Sequence, residues 1–320
     1  MVLSAPVLFE CKPVFTLDLP FGQQIRLLNH RFEPRRGSSA LEITILTGLH
    51  GDELDGGYIC HLLSQFLQRL PAGWLLRGIV NILPNANPLG TSLGQRSVPV
   101  LGSDLNRNFP GDPQGNEIER LAASIYQLAA RSTVCVDIHS SNSFLEELPQ
   151  TRVVHEPQVL KWAGTLGLDV IWSHSAHNWI PGTIAKALFS RGIHTLVVEV
   201  GTGRRLNRVH CERVFRGLLQ FLQAIDVLSG QPTIYSAPQP LYATEANVIH
   251  INAEVGGLFV PHPALVLGGH LHRGARLGQV IDTLSGEQTD VTTPIDGYLF
   301  TLRVHPVVYA GSLVARLIHV

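Results

Sequence analysis

Two residues that suit a metal ion, His50 and Glu53, stand three positions apart in the segment ILTGLHGDE. This segment ends an apolar run and opens an amphipathic one, so both side chains are expected on the turn at the carboxyl end of a strand. An imidazole and a carboxylate together suit Zn²⁺, whose catalytic sites use three protein ligands and leave one position for water. His139, in VCVDIHSSN, also lies at the end of a strand candidate. The three candidate ligands are then separated by one short spacer and one long spacer, a pattern that fits a metal site. The three residues predict one Zn²⁺ site per chain.

Other polar residues near these motifs have more than one interpretation. The chain has 15 histidines, so a His-x-x-Glu pair alone arises often by chance and needs His139 for support. His270 and His272 share a strand face without an acidic residue near them in sequence, and we interpret that pair as surface or packing residues. Asp137 precedes His139 by two positions. It is either a carboxylate that orients the metal-binding imidazole or the polar end of a capped strand.

An α/β domain with a mostly parallel sheet is expected to position these residues, because its strand ends meet at one edge. Short β-branched or apolar runs alternate with longer amphipathic runs from about residue 41 to residue 228. The strand candidates are 41–46, 75–83, 133–138 and 194–200. The helix candidates are 53–70, 116–131, 157–166 and 207–228. Asn116 predicts a helix start, since it can cap while Glu119 closes a capping box three residues later.

After Gly230 the sequence changes to a proline-rich, linker-like stretch with Pro232, Pro238 and Pro240. The remainder shows short strands broken by Gly and Pro, without a convincing helix. We therefore divide the chain into a catalytic domain, 1–230, and a small all-β domain, 231–320. Two related halves within the latter resemble the barrel-sandwich fold of biotinyl and lipoyl carrier domains. Those carriers need an exposed lysine, and none follows Lys186, so a covalent carrier role is disfavoured.

Composition excludes several classes of protein. Hydrophobic residues make up 45% and charged residues 15% of the 320 positions, as in ordinary globular proteins. A net charge of -1 provides no field for nucleic acid or anionic lipid, so neither is an expected partner. The four cysteines form no CxxC pair and are predicted to be reduced core thiols. The start of the chain lacks signal-peptide features, and no apolar run approaches the ~20 residues of a membrane span, so a cytoplasmic protein is expected. Homo-oligomer formation is left open.

The stretch between the ligand motifs, which contains GQRS and DLNRNFPG, adds a resemblance to a known family. With HGDE, DIHSS and VVEVG it resembles the succinylglutamate desuccinylase and aspartoacylase family, a branch of the zinc carboxypeptidase clan. The likeness runs from about residue 41 to the C-terminus. It implies a zinc-carboxypeptidase-like mixed sheet flanked by helices, and a C-terminal β domain that caps the active-site cleft. It also implies removal of an acyl group from an N-acyl amino acid or a related small, carboxylate-bearing amide.

The same resemblance implies roles for further residues. Asp104 of DLNR would orient His50, while Asn106 and Arg107 would bind the substrate carboxylate, a task suited to a planar guanidinium. Arg96 of GQRS would polarise the scissile carbonyl, and Glu199 of VVEVG would act as general base and then general acid. Simpler interpretations stay open: Arg96 as a surface salt-bridging residue of its loop, and Glu199 as the partner of an arginine at position 204 or 205.

Two other functions stay open alongside the deacylase. A metallocarboxypeptidase acting on short peptides would use the same zinc ligands, arginine and glutamate. A binding or scaffold protein with an inactive α/β domain belongs to a different class altogether. The complete set of candidate site residues speaks against it, because an inactive relative is expected to have lost at least one.

Overall fold

The structure, a computed structural model, describes residues 7–35, 41–99, 101–231 and 239–320. Within these ranges the helices are α1 (Asp55–Gln68), α2 (Pro88–Leu93), α3 (Glu117–Ala129), α4 (Pro157–Thr165), α5 (Ile184–Phe189) and α6 (Arg208–Ala224). The strands up to residue 230 are β1 (Val7–Asp18), β2 (Gln24–Pro34), β3 (Glu42–Thr47), β4 (Leu75–Leu76), β5 (Ile79–Leu83), β6 (Val134–Ser140), β7 (Leu145–Val154), β8 (Val170–His174), β9 (His194–Gly201) and β10 (Leu228–Ser229). The later strands are β11 (Leu241–Ala243), β12 (Val248–Asn252), β13 (Gly257–Pro261), β14 (His270–Leu271), β15 (Arg276–Ile281), β16 (Gln288–Thr292), β17 (Gly297–Arg303), β18 (Val307–Val308) and β19 (Leu313–Ile318).

One mixed sheet organises the molecule. Its strands follow the order β1-β2-β5-β3-β6-β9-β7-β17-β19-β12, with β8 and β11 attached beside β7 and β14 beside β17. Strands β5, β3, β6 and β9 are parallel to one another, whereas β7 is antiparallel to β9. The carboxyl ends of β3, β6 and β9 therefore lie next to each other, which is where His50, His139 and Glu199 occur in the sequence. The predicted mixed α/β sheet is confirmed.

Helices cover both faces of this sheet, because its central strands carry apolar side chains on both sides. On one face Ile45 and Val136 pack with residues of α1, α4 and α6, such as Leu63 and Phe221. On the other face Leu46 packs against α3 and α5. The strands that carry the site are thus held from two sides by fully buried apolar side chains.

The helices predicted from sequence all form, with small differences at their ends. Asn116 caps α3 through its side chain, and Glu119 returns the bond to the backbone of Asn116, so the capping box is confirmed. Helix α1 begins at Asp55 rather than at Glu53, which leaves Glu53 in the turn. The long hairpin of β1 and β2 was not predicted. Residues 232–238 of the proline-rich stretch lie outside the described residues.

Residues 239–320 contain strands and no helix in the described chain, as expected. Some of these strands form a separate sheet of order β16-β15-β13-β18. Others extend the catalytic sheet, since β17 pairs with β7 and β11 with β8. Phe300 of β17 is fully buried against Trp172 of β8, with ring centroids 5.5 Å apart. The C-terminal strands and the catalytic region therefore share both a sheet and part of a core.

Two expectations about individual residues can be compared with the structure. Cys60, Cys135 and Cys211 are buried free thiols as predicted, but Cys11 is exposed on the edge strand β1, so the prediction of a core position for it was wrong. His270 and His272 are both exposed, as expected for surface residues. Among the described helices, none combines the length and the apolar character that crossing a membrane requires.

Candidate active site

Three side chains converge at the carboxyl edge of the sheet. The nearest ligand atoms of His50, Glu53 and His139 all lie within 4.8 Å of one another, and all three residues are buried. His50 Nδ1 is 2.7 Å from Glu53 Oε1, and His139 Nδ1 is 2.8 Å from Glu53 Oε2. Two imidazole nitrogens and a carboxylate that share one point make a donor set suited to Zn²⁺. The structure thus brings together the three residues that the sequence selected.

The turn after β3 owes its shape to glycine. Gly48 has a φ of +74°, which favours glycine. Gly51 packs so closely on Gly90 that a Cβ atom would lie 2.1 Å from the Gly90 carbonyl carbon. The Gly51 amide also donates to the backbone oxygen of Arg96, 3.3 Å away. The turn that carries His50 is therefore fixed against the loop that carries Arg96.

Each histidine donates from its second ring nitrogen to a carboxylate. His139 Nε2 lies 2.9 Å from Asp137 Oδ2, and His50 Nε2 lies 3.2 Å from Asp104 Oδ1. Such contacts fix the ring orientation and leave the other nitrogen for a metal. Of the two interpretations of Asp137, the structure favours the orienting carboxylate, because the residue is buried and directed at the imidazole.

Ion pairs between the carboxylates and the imidazoles shift the pKa values in this cluster. Burial would raise the pKa of Glu53, but His139 and His50 lower it to about 2. Burial lowers the pKa of His139, yet Asp137 and Glu53 raise it well above its ordinary value. These carboxylates stabilise protonated imidazoles. A metal that binds to a ring nitrogen here must displace its proton, so metal binding is coupled to proton release.

A second buried carboxylate, Asp55, supports the ligands and was missed in the sequence. Its Oδ2 accepts from Ser140 Oγ at 2.9 Å, and its Oδ1 accepts from the Asn207 amide at 2.8 Å. The Ser140 amide in turn donates to Glu53 Oε2 at 3.2 Å. Asp55 therefore joins the start of α1 to the end of β6 and to the residue that caps α6. The signal in the sequence was a further acidic residue two positions after Glu53.

Arg96 lies between two carboxylates of the cluster. Its Nη1 is 3.3 Å from Glu53 Oε1, and its Nη2 is 3.2 Å from Asp104 Oδ2. The side chain keeps 43% of its surface exposed, so it can be reached by a ligand in the cavity. Arg96 is thus a partly exposed, ion-paired residue that also lines the cavity of the His50, Glu53 and His139 cluster, and its role at the scissile carbonyl stays a prediction.

Asn106 and Arg107 follow on a short 3₁₀ turn. Asn106 is buried, and its Oδ1 accepts from the Ile184 amide at 2.9 Å, which fixes the start of α5. Arg107 is exposed and donates from Nη1 to the Asn106 carbonyl at 2.6 Å. Both residues line the cavity in front of the metal ligands.

Glu199 stands beside His139 in the β6–β9 ladder. Burial raises the pKa of Glu199, Arg152 and His139 lower it, and the net result is a pKa above the ordinary value. Its ion-pair partner is Arg152, with Nη1 3.3 Å from Oε1, rather than the arginine at 204 or 205 that the sequence offered. A largely buried carboxylate of raised pKa, 15% exposed and next to the candidate metal ligands, is suited to accept a proton.

These residues line a cavity of about 320 Å³. Its far wall carries Glu147 and Arg152 of β7 and Arg316 of β19, which the sequence did not reveal as site residues. The signal for Arg316 was a single charged residue in the apolar run LVARLI, since arginine is almost never buried without a partner. The wall therefore combines strands from before and after residue 230.

The fold and the site together define a class: a hydrolase with a mixed α/β sheet and a candidate two-histidine, one-glutamate metal site at the carboxyl edge of that sheet. The chain belongs to the succinylglutamate desuccinylase/aspartoacylase family, since the sequence model of that family's catalytic domain matches residues 39–225. The resemblance drawn from the motifs is confirmed.

Individual relatives support the same assignment. N-alpha-acetyl-L-2,4-diaminobutyric acid deacetylase of Halomonas elongata is 26% identical over 282 residues, which cover 84% of this chain and 79% of the relative. The crystal structure of succinylglutamatedesuccinylase/aspartoacylase from Rhodobacter sphaeroides has 23% identity and a TM-score of 0.78, covering 93% of this chain and 90% of that one. The product-bound structure of the ectoine utilization protein EutE (DoeB) from Ruegeria pomeroyi has 19% identity and a TM-score of 0.80, covering 98% of this chain and 95% of that one. The two solved structures thus share the fold over 93% and 98% of this chain.

Proposed function

We propose that this protein is a zinc-dependent deacylase that hydrolyses the amide bond of small N-acyl amino acids. One observation carries the proposal: the cluster of His50, Glu53 and His139 opens on the same cavity as Glu199, Arg96 and Arg107. Metal ligands, a base and two guanidinium groups that face one cavity are the parts that amide hydrolysis beside a carboxylate requires.

The donor set fits zinc. Two neutral imidazoles and one carboxylate match the ligands of catalytic zinc, and each imidazole is oriented by its own aspartate. When bound there, zinc supplies a Lewis acid that activates water and polarises a carbonyl at neutral pH.

The remaining steps belong to residues of the chain. Arg107, aided by Asn106, holds the substrate carboxylate and so places the amide in front of the metal ligands. Arg96 donates to the carbonyl oxygen as negative charge develops on it. Glu199 takes the proton of the attacking water and passes it to the amine nitrogen as the carbon–nitrogen bond breaks. The raised pKa of Glu199 favours the first of these transfers, because a carboxylate of higher pKa is a stronger base.

The size of the cavity supports a small substrate. About 320 Å³ is near the lower end of the volumes of small-molecule sites. Arg316 of the C-terminal strand β19 stands in its wall, which is consistent with residues 231–320 closing the cleft to longer chains. We therefore place the deacylase ahead of the metallocarboxypeptidase.

The test is to offer zinc-loaded protein several N-acetyl amino acids and, in parallel, dipeptides and longer peptides. N-acetyl-2,4-diaminobutyrate belongs in the panel, because the Halomonas elongata relative is named for its deacetylation. We expect N-acyl amino acids to be cleaved and peptides to be cleaved poorly, with activity lost on chelation and restored by Zn²⁺. Equal cleavage of long peptides would favour the carboxypeptidase. A purified protein that neither cleaves the panel nor takes up zinc would favour the scaffold.

A further inference from the structure

A row of polar residues crosses three adjacent strands on the cavity wall. Glu147 of β7 is paired with Thr301 of β17, and Thr301 is paired with Arg316 of β19. Side chains directly opposite one another on neighbouring strands lie on the same face of a sheet. Arg316 thereby reaches Glu147, with Nη1 2.5 Å from Oε1, although 169 residues separate them in sequence.

The carboxylate of Glu147 depends on this row for its partners, because only 2% of its side chain is exposed. Its Oε1 accepts from Arg316 and, at 3.4 Å, from Thr301 Oγ1. Its Oε2 accepts from Gln150 Nε2 at 3.0 Å and from Arg152 Nη2 at 3.1 Å. A buried carboxylate is costly unless cations and donors satisfy it, so Glu147 attracts strongly any guanidinium within reach.

Arg152 is shared between this buried carboxylate and the proposed base. Its Nη2 contacts Glu147 while its Nη1 lies 3.3 Å from Glu199 Oε1. The guanidinium groups of Arg152 and Arg316 both lie over the ring of Trp172, 5.1 and 5.7 Å from its centroid. The two guanidinium groups thus pack on one aromatic side chain and pair with two carboxylates, Glu147 and Glu199. Without Arg316, Arg152 would be the single cation paired with Glu147. Arg152 would then be drawn towards Glu147 and away from Glu199.

We propose that Arg316 is a positioning residue for the general base: by pairing with Glu147 from the C-terminal strand, it leaves Nη1 of Arg152 in contact with the Glu199 carboxylate, which is thereby held in place. This inference rests on the proposed function for its kinetic consequence, since it assumes that Glu199 is the base. It assigns to the C-terminal strands a part in the catalytic machinery as well as in closing the cleft.

The experiment measures kcat and KM of full-length, zinc-loaded Arg316→Met on the N-acetyl amino acid that the wild type cleaves fastest. We expect kcat to fall roughly tenfold to a hundredfold, as for misplacement of a catalytic group by about 1 Å, with KM nearly unchanged. Arg316→Lys keeps a cation and should recover much of the loss. Adding Glu147→Gln to Arg316→Met should also restore turnover, because a neutral amide no longer pulls Arg152 away from Glu199.

Arg276→Met is the matched control, since Arg276 pairs with Asp290 in the C-terminal sheet, with Nε 3.0 Å from Oδ1, and does not line the cavity. It should leave kcat unchanged. A higher KM with unchanged kcat for Arg316→Met would overturn the proposal and make Arg316 a substrate contact. Equal losses in Arg316→Met with and without Glu147→Gln would overturn it as well.

A crystal structure of Arg316→Met supplies a readout that does not depend on activity. The proposal expects Arg152 to have turned to Glu147, with its bond to Glu199 broken. An intact contact between Arg152 and Glu199 would overturn the inference even if the enzyme were a deacylase. A wild type that cleaves nothing in the substrate panel would instead overturn the proposed function, and the crystal structure would still decide the role of Arg316.

Discussion

Replacing Asp137 by asparagine changes one charge beneath the metal site while keeping the size of the side chain. Asp137 Oδ2 accepts from His139 Nε2 at 2.9 Å, and Asp137 is 1% exposed. A hydrogen bond to an ionised acceptor contributes about 1.5–3 kcal/mol, and one to a neutral acceptor about 0.5–1.5 kcal/mol. Asp137→Asn is thus expected to remove about 1–2 kcal/mol of support for the ligand. Since 1.4 kcal/mol is a factor of ten, zinc affinity should fall roughly 5- to 30-fold. Competition with a fluorescent zinc chelator at fixed pH measures this directly.

Asp104→Asn is the matched comparison, because Asp104 makes the corresponding contact with His50 at 3.2 Å and its side chain is 22% exposed. A longer bond, partly screened by solvent, should contribute less, so we expect a loss of only about threefold. The more specific part of the prediction is that Asp137→Asn loses more zinc affinity than Asp104→Asn. Unchanged zinc affinity in Asp137→Asn, or a larger loss in Asp104→Asn, would refute the reasoning that burial and bond length determine the strength of these contacts.

Three further variants test the metal, the base and the shared core. His139→Ala should lose zinc and activity together, because two remaining ligands hold a catalytic metal poorly, whereas His270→Ala, on the surface, should keep both by elemental analysis and assay. Glu199→Gln should keep zinc but lose turnover by ~10²-fold or more, since an amide cannot accept the proton; wild-type turnover would place the base elsewhere. Phe300→Ala removes a fully buried ring packed on Trp172 and should lower the free energy of unfolding by about 3–5 kcal/mol in a single transition. Separate unfolding of the C-terminal strands in urea would contradict a shared core.

The sequence predicts the central part of this molecule well, because the signals there are local. The apolar run before His50 and the run before His139 become β3 and β6, which are adjacent and parallel, so their ends meet. The capping box at Asn116 needs only neighbouring residues and forms as expected. Residues that follow neighbouring parallel strands are brought together by the sheet topology. The cluster of His50, Glu53 and His139 can therefore be predicted from residue spacing and strand order.

Long-range pairing limits what the sequence predicts about the rest of the site. Nothing local indicates that Arg152 pairs with Glu199, or that β17 pairs with β7 and so brings Arg316 to Glu147. These contacts depend on sheet register, which the turns and the hydrophobic pattern of distant segments determine jointly. The prediction for Cys11 failed for a similar reason, since an edge strand exposes residues that a central strand of the same composition would bury.

The ion pair between Glu147 and Arg316 also bears on the order in which the protein can form during synthesis. Glu147 leaves the ribosome 169 residues before Arg316. At typical elongation rates of about 5–20 residues per second, that interval is roughly 10–30 s. During this time Arg316 does not yet exist, so of the two cations that pair with Glu147 in the folded protein only Arg152 has been synthesised. The residues of the central parallel strands are synthesised earlier, but the surroundings of Glu199, the proposed base, are complete only when β19 has been added. A nascent chain is therefore expected to carry a complete set of metal ligands before it has a competent catalytic wall.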